Sequence, residues 1–268
     1  MDINLNAYFK RINYSGPAIA DIEVLKQLHY LHPLSIPFEN ISPWLGLPLP
    51  LQLDQLQEKL VMMQRGGYCY EQNLLFKAVL TALGFKVTGL IARVRWNIGA
   101  EIVTPRSHML LLVETGGETY LCDVGFGGLT LTTPLKLQYD LIQQTPHETF
   151  RIVKQNELVS LEVLIKDYWK AVYVLALDAQ FEADYEVANW FMSTYPDSAF
   201  KKTLIIARPT STGRLSLTNT ELTDRKKDGT IHKQTLTSVT ELLTAVKTKF
   251  SIELPNDIDL GNRLPFVS

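Results

Sequence analysis

Arg65-Gly66-Gly67-Tyr68-Cys69-Tyr70-Glu71-Gln72-Asn73 leads from a glycine loop into a helical pattern that carries Leu75, Val79 and Leu83 on one stripe and stops at Gly84. The first N–H groups of such a helix lack partners and its dipole is positive there, so an anion is favoured. Cys69 stands at that junction, which favours its thiolate for the same reason. Gly66 and Gly67 are expected to take backbone conformations closed to other residues and to leave room beside the sulfur. The Cys69 N–H is then suited to an oxyanion that develops during acyl transfer. The competing reading of a single thiol is inert buried filler.

Before this loop the chain reads as helical over residues 5–12 and 19–29, with Gly16-Pro17 between them. A proline-rich stretch follows over 33–50, then another helix over 53–63. After Phe85 the apolar period shifts toward two. Strands are expected over 87–94, 108–113, 119–124, 150–154, 158–165 and 169–175, a series that suits an antiparallel sheet curled toward a barrel. Beyond Tyr195 the pattern is mixed, with strands over 202–208 and 213–219 and a helix over 238–250. The expected class is α+β: a helical lobe over 1–85, a strand-rich lobe over 86–195 and a small α/β lobe over 196–268.

The two strands around Thr115-Gly116-Gly117-Glu118 place the next chemical groups, because Gly-Gly between apolar runs marks a tight hairpin. Centred there, facing residue numbers sum to 233, so Leu110 faces Asp123 and His108 faces Gly125. Alternation puts His108, Leu110 and Asp123 on one face, with His108 and Asp123 as diagonal neighbours. An aspartate among Leu121, Cys122 and Val124 needs a partner, and a histidine that moves protons needs an acceptor on one ring nitrogen. A structural hydrogen bond and a catalytic pair both satisfy that; a primed thiol earlier in the chain favours a Cys69–His108–Asp123 triad. Cys122 points away from His108 and is read as barrel filler.

Composition narrows the classes. With 46% hydrophobic and 20% charged residues the chain is an ordinary globular protein, and a net charge of −2 supplies no basic stripe for nucleic acid. Arg225-Lys226-Lys227 followed by Asp228-Gly229 reads as a solvated turn. The N-terminus lacks a signal-like apolar core, and the longest uncharged apolar run, 171–177, is too short to span a bilayer, so no membrane partner is expected. Two cysteines are too few for a disulfide framework, and a reducing, cytoplasmic setting follows. His29 and His32 lie three apart with no further ligand at a suitable spacing, so they are read as core or capping residues and no metal is expected. His147 and His232 suggest no role.

Four stretches together resemble the arylamine N-acetyltransferase family. They are residues 65–73, which fit R-G-G-x-C-x-E-x-N; Tyr8-Phe9-Lys10-Arg11-Ile12 with Pro37-Phe38-Glu39-Asn40; Ser107-His108 followed by Asp123-Val124-Gly125-Phe126-Gly127; and 189–194, Ser198-Ala199-Phe200 and Gly213-Arg214. The resemblance runs over nearly the whole chain and implies a bundle, barrel and lid around a cysteine-protease-like Cys-His-Asp core. It implies ping-pong transfer of an acetyl group from acetyl-CoA, through a Cys69 thioester, to the nitrogen or N-hydroxyl oxygen of small arylamines and arylhydrazines, with a xenobiotic-metabolising role. By the same resemblance Arg65 pairs with Glu39 to anchor the loop, Phe126 lines the acceptor pocket with Phe38 as a further apolar wall, core packing being the competing role for both, and Thr104 and Thr210 lie near the CoA. A monomer or weak homo-oligomer is expected. Two alternatives keep the triad: a macrolactam-forming amide synthase of the same family, and a cysteine hydrolase or transglutaminase-like enzyme.

Overall fold

The computed structural model describes residues 2–99, 101–255, 258 and 260–264. Helix α1 (Leu5–Ile12) starts at Asn4, whose side chain accepts the Ala7 N–H, and α2 (Ile22–Ser35) starts at Asp21, which accepts the Glu23 N–H. The latter continues through Pro33, past the end expected at residue 29. Leu28, His29 and His32 are all fully buried, so packing holds the turn that proline weakens. Strand β1 (Phe38–Glu39), α3 (Ile41–Leu45) and α4 (Leu53–Leu56) follow, and α4 widens into a π-helical turn at Gln57–Met62. Helix α5 (Cys69–Ala82) then ends as expected, with Gly84 at φ 93°.

The barrel consists of β2 (Lys86–Val94), β3 (Arg106–Thr115), β4 (Glu118–Cys122), β5 (Leu135–Lys136), β6 (Gln143–Gln144), β7 (Thr149–Gln155), β8 (Leu158–Ile165) and β9 (Tyr168–Leu175), in the antiparallel order β5-β4-β3-β2-β9-β8-β7-β6. Its two edge strands meet through one side chain. The Gln143 amide accepts the Lys136 N–H at 2.8 Å and donates to the Lys136 carbonyl at 3.0 Å, standing in for a strand partner. The interior is apolar, with Leu90, Leu110, Leu121, Phe150 and Tyr173. The β3–β4 hairpin has the expected register as far as Leu111 facing Cys122, but β4 ends there, short of the expected residue 124, and the expected Leu110–Asp123 and His108–Gly125 pairs are not formed. Cys122 does point away from the His108 face, but the wall there is covered by α5. With Met109 and Leu111 it therefore packs against Phe76 and Val79, in the core shared with the helices rather than inside the barrel.

Helix α6 (Glu182–Thr194) was not expected. Tyr185 and Asn189 are buried, while Val187 and Trp190 lie outward, 71% and 68% exposed, which blurs the apolar stripe that would mark a helix. The C-terminal part contains α7 (Ala199–Lys202), β10 (Ile205–Thr210), β11 (Gly213–Thr218), β12 (Glu221–Lys226), β13 (Ile231–Thr235) and α8 (Val239–Phe250). Arg225 and Lys226 belong to β12, so the turn expected there is confined to 227–229. The sheet order is β1-β10-β11-β12-β13. Thus β1 joins the C-terminal sheet, and Ile41 and Trp44 of α3 join the core of the last third of the chain, beside Leu217, Leu242 and Phe250. Among the described residues no helix is long and apolar enough to cross a membrane. The architecture is α+β.

Candidate active site

Strand β1 threads between the C-terminal sheet and the glycine loop. Phe38 pairs with Ala207 on one side and forms a parallel bridge with Gly67 on the other, where the Gly67 N–H donates to the Pro37 carbonyl at 3.2 Å. This corrects the expected role of the glycines. Neither Gly66 nor Gly67 has a positive φ; a β-carbon at 66 would lie 2.2 Å from the Pro37 carbonyl oxygen, and one at 67 would lie 2.8 Å from the Glu71 carboxylate. Close approach of the chain at Pro37–Glu39 requires glycine at 66 and the Glu71 side chain requires it at 67, so the space beside them is filled.

The loop is fastened by charge. Arg65 donates from Nε and Nη2 to Glu39 Oε1 at 3.0 and 2.6 Å, while Glu39 Oε2 accepts the Ile41 N–H at 2.6 Å. Lys59 reaches Glu71 at 2.6 Å and Glu39 at 3.8 Å, and Glu71 Oε2 accepts the Tyr68 N–H at 3.0 Å. Burial alone would raise Glu39, yet the charges of Lys59 and Arg65 outweigh it and hold the carboxyl below its usual range. Burial raises Glu71, and Lys59 only partly offsets it. Removing one partner leaves a buried uncompensated cation, so Glu39→Gln should cost about 3–5 kcal/mol. Thermal unfolding should register this as a fall on the order of 10 °C. Because the folded pKa of Glu39 is depressed, this stability is present above the unfolded carboxylate range and is lost as pH falls through the folded value. An unchanged midpoint at neutral pH would refute it.

A second chain of contacts reaches the loop from behind. Tyr8 donates to His32 Nδ1 at 2.8 Å, His32 Nε2 donates to Gln72 Oε1 at 2.7 Å, and Gln72 Nε2 donates to the carbonyls of Pro37 and Gly67 at 2.8 and 3.1 Å. Burial lowers His32 to about 3, so the neutral tautomer that this relay requires persists. His32 is thus the core histidine it was expected to be.

Cys69 is the first helical residue of α5 and is buried. Its thiol faces the Ser107 carbonyl at 3.8 Å and lies close enough to His108 to favour the charged imidazole. Ser107 is the extra residue of a bulge, since Ala92 pairs with His108 and Arg93 with Arg106; the bulge aims this end of β3 at the helix. His108 Nε2 contacts Asp123 Oδ2 at 2.7 Å, which leaves Nδ1 for the thiol. Asp123 Oδ1 accepts the Gly125 N–H at 3.0 Å and the Asn73 amide at 3.3 Å. Burial opposes an imidazolium, but the charge and hydrogen bond of Asp123, then those of Cys69, outweigh it and hold His108 up at about 10. Burial likewise opposes the Asp123 carboxylate, and His108, Gly125 and Asn73 hold it below its usual value. The ring of Tyr173 lies 5.2 Å from His108, and a β-carbon on Gly125 would lie 2.8 Å from Cys69 Cα, so helix and barrel meet too closely there for any side chain.

The structure therefore brings Cys69, His108 and Asp123 together, with Arg65 and Glu39 behind them. Phe126 stands edge-on to His108 at 5.0 Å, and Phe38, buried, lies against Gly127. Thr104 and Thr210 lie apart from this cluster by contact: Thr104 donates to the Val94 carbonyl at 2.9 Å, and Thr210 Oγ1 meets Thr212 Oγ1 at 3.4 Å. Asn73, Gln72, Tyr173 and His29 were missed as contributors. Asn73 and Gln72 fall inside the opening motif, so their signal was present; Tyr173 and His29 carry none. His147 also has a role: its Nε2 donates to the carbonyls of Thr210 and Gly213 at 2.8 and 3.1 Å and its Nδ1 meets Thr132 at 3.1 Å, tying the barrel to the C-terminal sheet.

The N-acetyltransferase family model matches residues 21–258. Arylamine N-acetyltransferase of Escherichia coli (strain K12) is 39% identical over 251 residues, covering 92% of this chain and 88% of that one. The chain belongs to the arylamine N-acetyltransferase family. It is also similar in structure to the family member from Mycobacterium tuberculosis, with a TM-score of 0.92, 35% identity and 97% of each chain covered. The enzyme of Mycobacterium marinum in complex with CoA matches with a TM-score of 0.90 and 34% identity over 93% of each chain.

Proposed function

We propose that this acetyltransferase takes an acetyl group from acetyl-CoA onto Cys69 and passes it to small arylamines or arylhydrazines. The observation that carries the reading is the placement of the thiol at the start of α5 beside His108, whose Nε2 meets Asp123 at 2.7 Å. Family membership supports the reaction class, and a relative has been seen with CoA. Thr104 in the loop between β2 and β3 and Thr210 on the C-terminal sheet are the residues proposed to flank the CoA. An observation that suits an anionic co-substrate is Arg214 near Thr210: it donates to Glu148 at 2.6 Å and to the Thr130 carbonyl at 3.0 Å, yet its Nη1 is buried without a hydrogen-bond partner.

With its pKa held up at about 10, His108 is an imidazolium at neutral pH and can serve as counter-ion to the Cys69 thiolate that the reaction requires. The thiolate attacks the acetyl carbonyl, forming a new C–S bond as the bond to the CoA sulfur breaks, and the imidazolium gives its proton to the departing sulfur. The neutral imidazole then accepts the proton of the attacking amine as Cys69 leaves as thiolate. The helix start at Cys69 supplies N–H groups for the oxyanion. Phe38 and Phe126 provide apolar walls for the aromatic acceptor. Both cysteines are free and buried, which fits a reducing compartment.

Incubation with acetyl-CoA should add one acetyl group per chain by intact mass, and an aromatic amine should then remove it with release of the acetylated amine. A chain that takes no acetyl group, or that loses it only to water, would overturn the proposal.

A further inference from the structure

We infer that His29 is a positioning residue of this triad, fixing the backbone at Asp123 so that the carboxylate meets His108. The inference rests on the proposed catalytic reading of Cys69, His108 and Asp123. It starts from where the sheet stops. The β3–β4 ladder ends at the Leu111–Cys122 pair, so Asp123 leaves the strand just where its own placement matters most. Its N–H donates instead to His29 Nε2 at 3.1 Å, and the next N–H, that of Val124, donates to Asn73 Oδ1 at 3.2 Å. Two consecutive amides at the end of a barrel strand are thus held by side chains of α2 and α5, in the helical lobe that carries the thiol.

The contact dictates the chemistry of His29. Nε2 must present a lone pair, so the ring is neutral with its proton on Nδ1. A protonated ring would set an N–H against the Asp123 N–H. The setting enforces neutrality: His29 is fully buried and edge-on to Phe76 at 5.8 Å, and burial lowers it to about 4 although the Asp123 charge opposes this. The titratable groups facing it are Asp123 and, on its own helix, His32; those facing His108 are Asp123, Cys69 of α5 and Tyr173 of β9. A purely apolar filler would pack as well but would leave the Asp123 N–H without an acceptor. The carboxylate would then drift, and misplacements near 1 Å cost about 100-fold in rate.

The test compares His29→Gln, whose amide oxygen reaches the position of Nε2, with His29→Phe, which keeps a ring and removes the acceptor; His29→Leu replaces the latter if it does not fold. Single-turnover acetylation of Cys69 per titrated thiol gives the rate and KM, and NMR titration of His108 without substrate gives a readout independent of activity. The apolar variant should lose roughly 10–100-fold in rate with KM little changed. Its His108 titration should move to lower pH, while His29→Gln stays near the parent in both. An apolar variant with parental rate and His108 titration would overturn the inference, as would a Gln variant impaired as much as the apolar one. If the parent itself takes no acetyl group, the functional reading fails, yet the His108 titrations still decide whether His29 positions Asp123.

Discussion

Cys69→Ala should reduce acetylation of an aromatic amine by about a million-fold, the scale on which loss of a triad nucleophile acts elsewhere, while the protein stays folded. The sulfur makes one long contact with the Ser107 carbonyl and one with His108, and its neighbours along α5 are held by the Glu71 and Gln72 contacts rather than by the thiol. Little stability is therefore lost with it. What disappears is the acyl acceptor. Without a thioester the amine has to attack the bound acetyl donor directly, and no neighbouring side chain can substitute, because Cys122 lies on the opposite wall of the barrel strand, fully buried against the helices. Cys122→Ala should accordingly keep turnover near the parental value and lose only some packing. Burial, then the Asp123 charge, pushes the Cys122 thiol well up, so it is poorly suited to act as a nucleophile even if exposed by breathing. Steady-state kinetics with intact mass on both variants provides the check; turnover that survives in Cys69→Ala and vanishes in Cys122→Ala would reverse the assignment.

The hairpin reading and the opening motif explain why so much of the site was legible. Gly116 and Gly117 have φ of 59° and 77°, the turn that two glycines favour, and with that turn the register of β3 and β4 is fixed. Alternation puts His108 on the face toward which Asp123 is aimed, but the ladder stops one residue before Asp123, so the final alignment depends on the side chains that hold its backbone. The convergence of Cys69 on that pair was not legible from spacing, since it depends on α5 packing across β3 and on the bulge at Ser107. The same limit applies to His29, His32 and His147. Each acts through a partner at least 15 residues away in sequence, and such a contact leaves no pattern in the chain. Strands β12 and β13 escaped because their exposed faces are rich in charged and polar residues, and α6 because its outer face is apolar. The glycines at 66 and 67 show a different kind of miss: the residue type was read correctly as necessary, but the necessity is steric, from the Pro37–Glu39 segment at 66 and from the Glu71 side chain at 67, rather than backbone freedom.

Asp123→Asn keeps the shape of the carboxylate and removes its charge, which makes it the sharper test of how the site holds its protons. In the parent, His108 is held at about 10 against burial, chiefly by Asp123. The unfolded value is about 6.5. The raised folded value means that the ion pair contributes stability fully below pH 6.5 and loses it as pH rises through about 10. With asparagine in place, burial becomes the dominant influence on the imidazole and its pKa falls. At pH 8 the ring is then neutral, so the thiolate loses its counter-charge and the departing sulfur loses its proton donor. The acetylation half-reaction should slow by about 10³–10⁴-fold, the scale found when a triad carboxylate is amidated. Its alkaline limit should also move to lower pH. In parallel, the difference in stability between parent and variant should be largest below pH 6.5 and shrink toward pH 10, a sign opposite to that expected of Glu39. Pre-steady-state acetylation and denaturant unfolding across pH 5–10 measure both. A variant within tenfold of the parent at every pH would mean that the imidazole is poised without the carboxylate, and the triad reading would reduce to a Cys69–His108 pair.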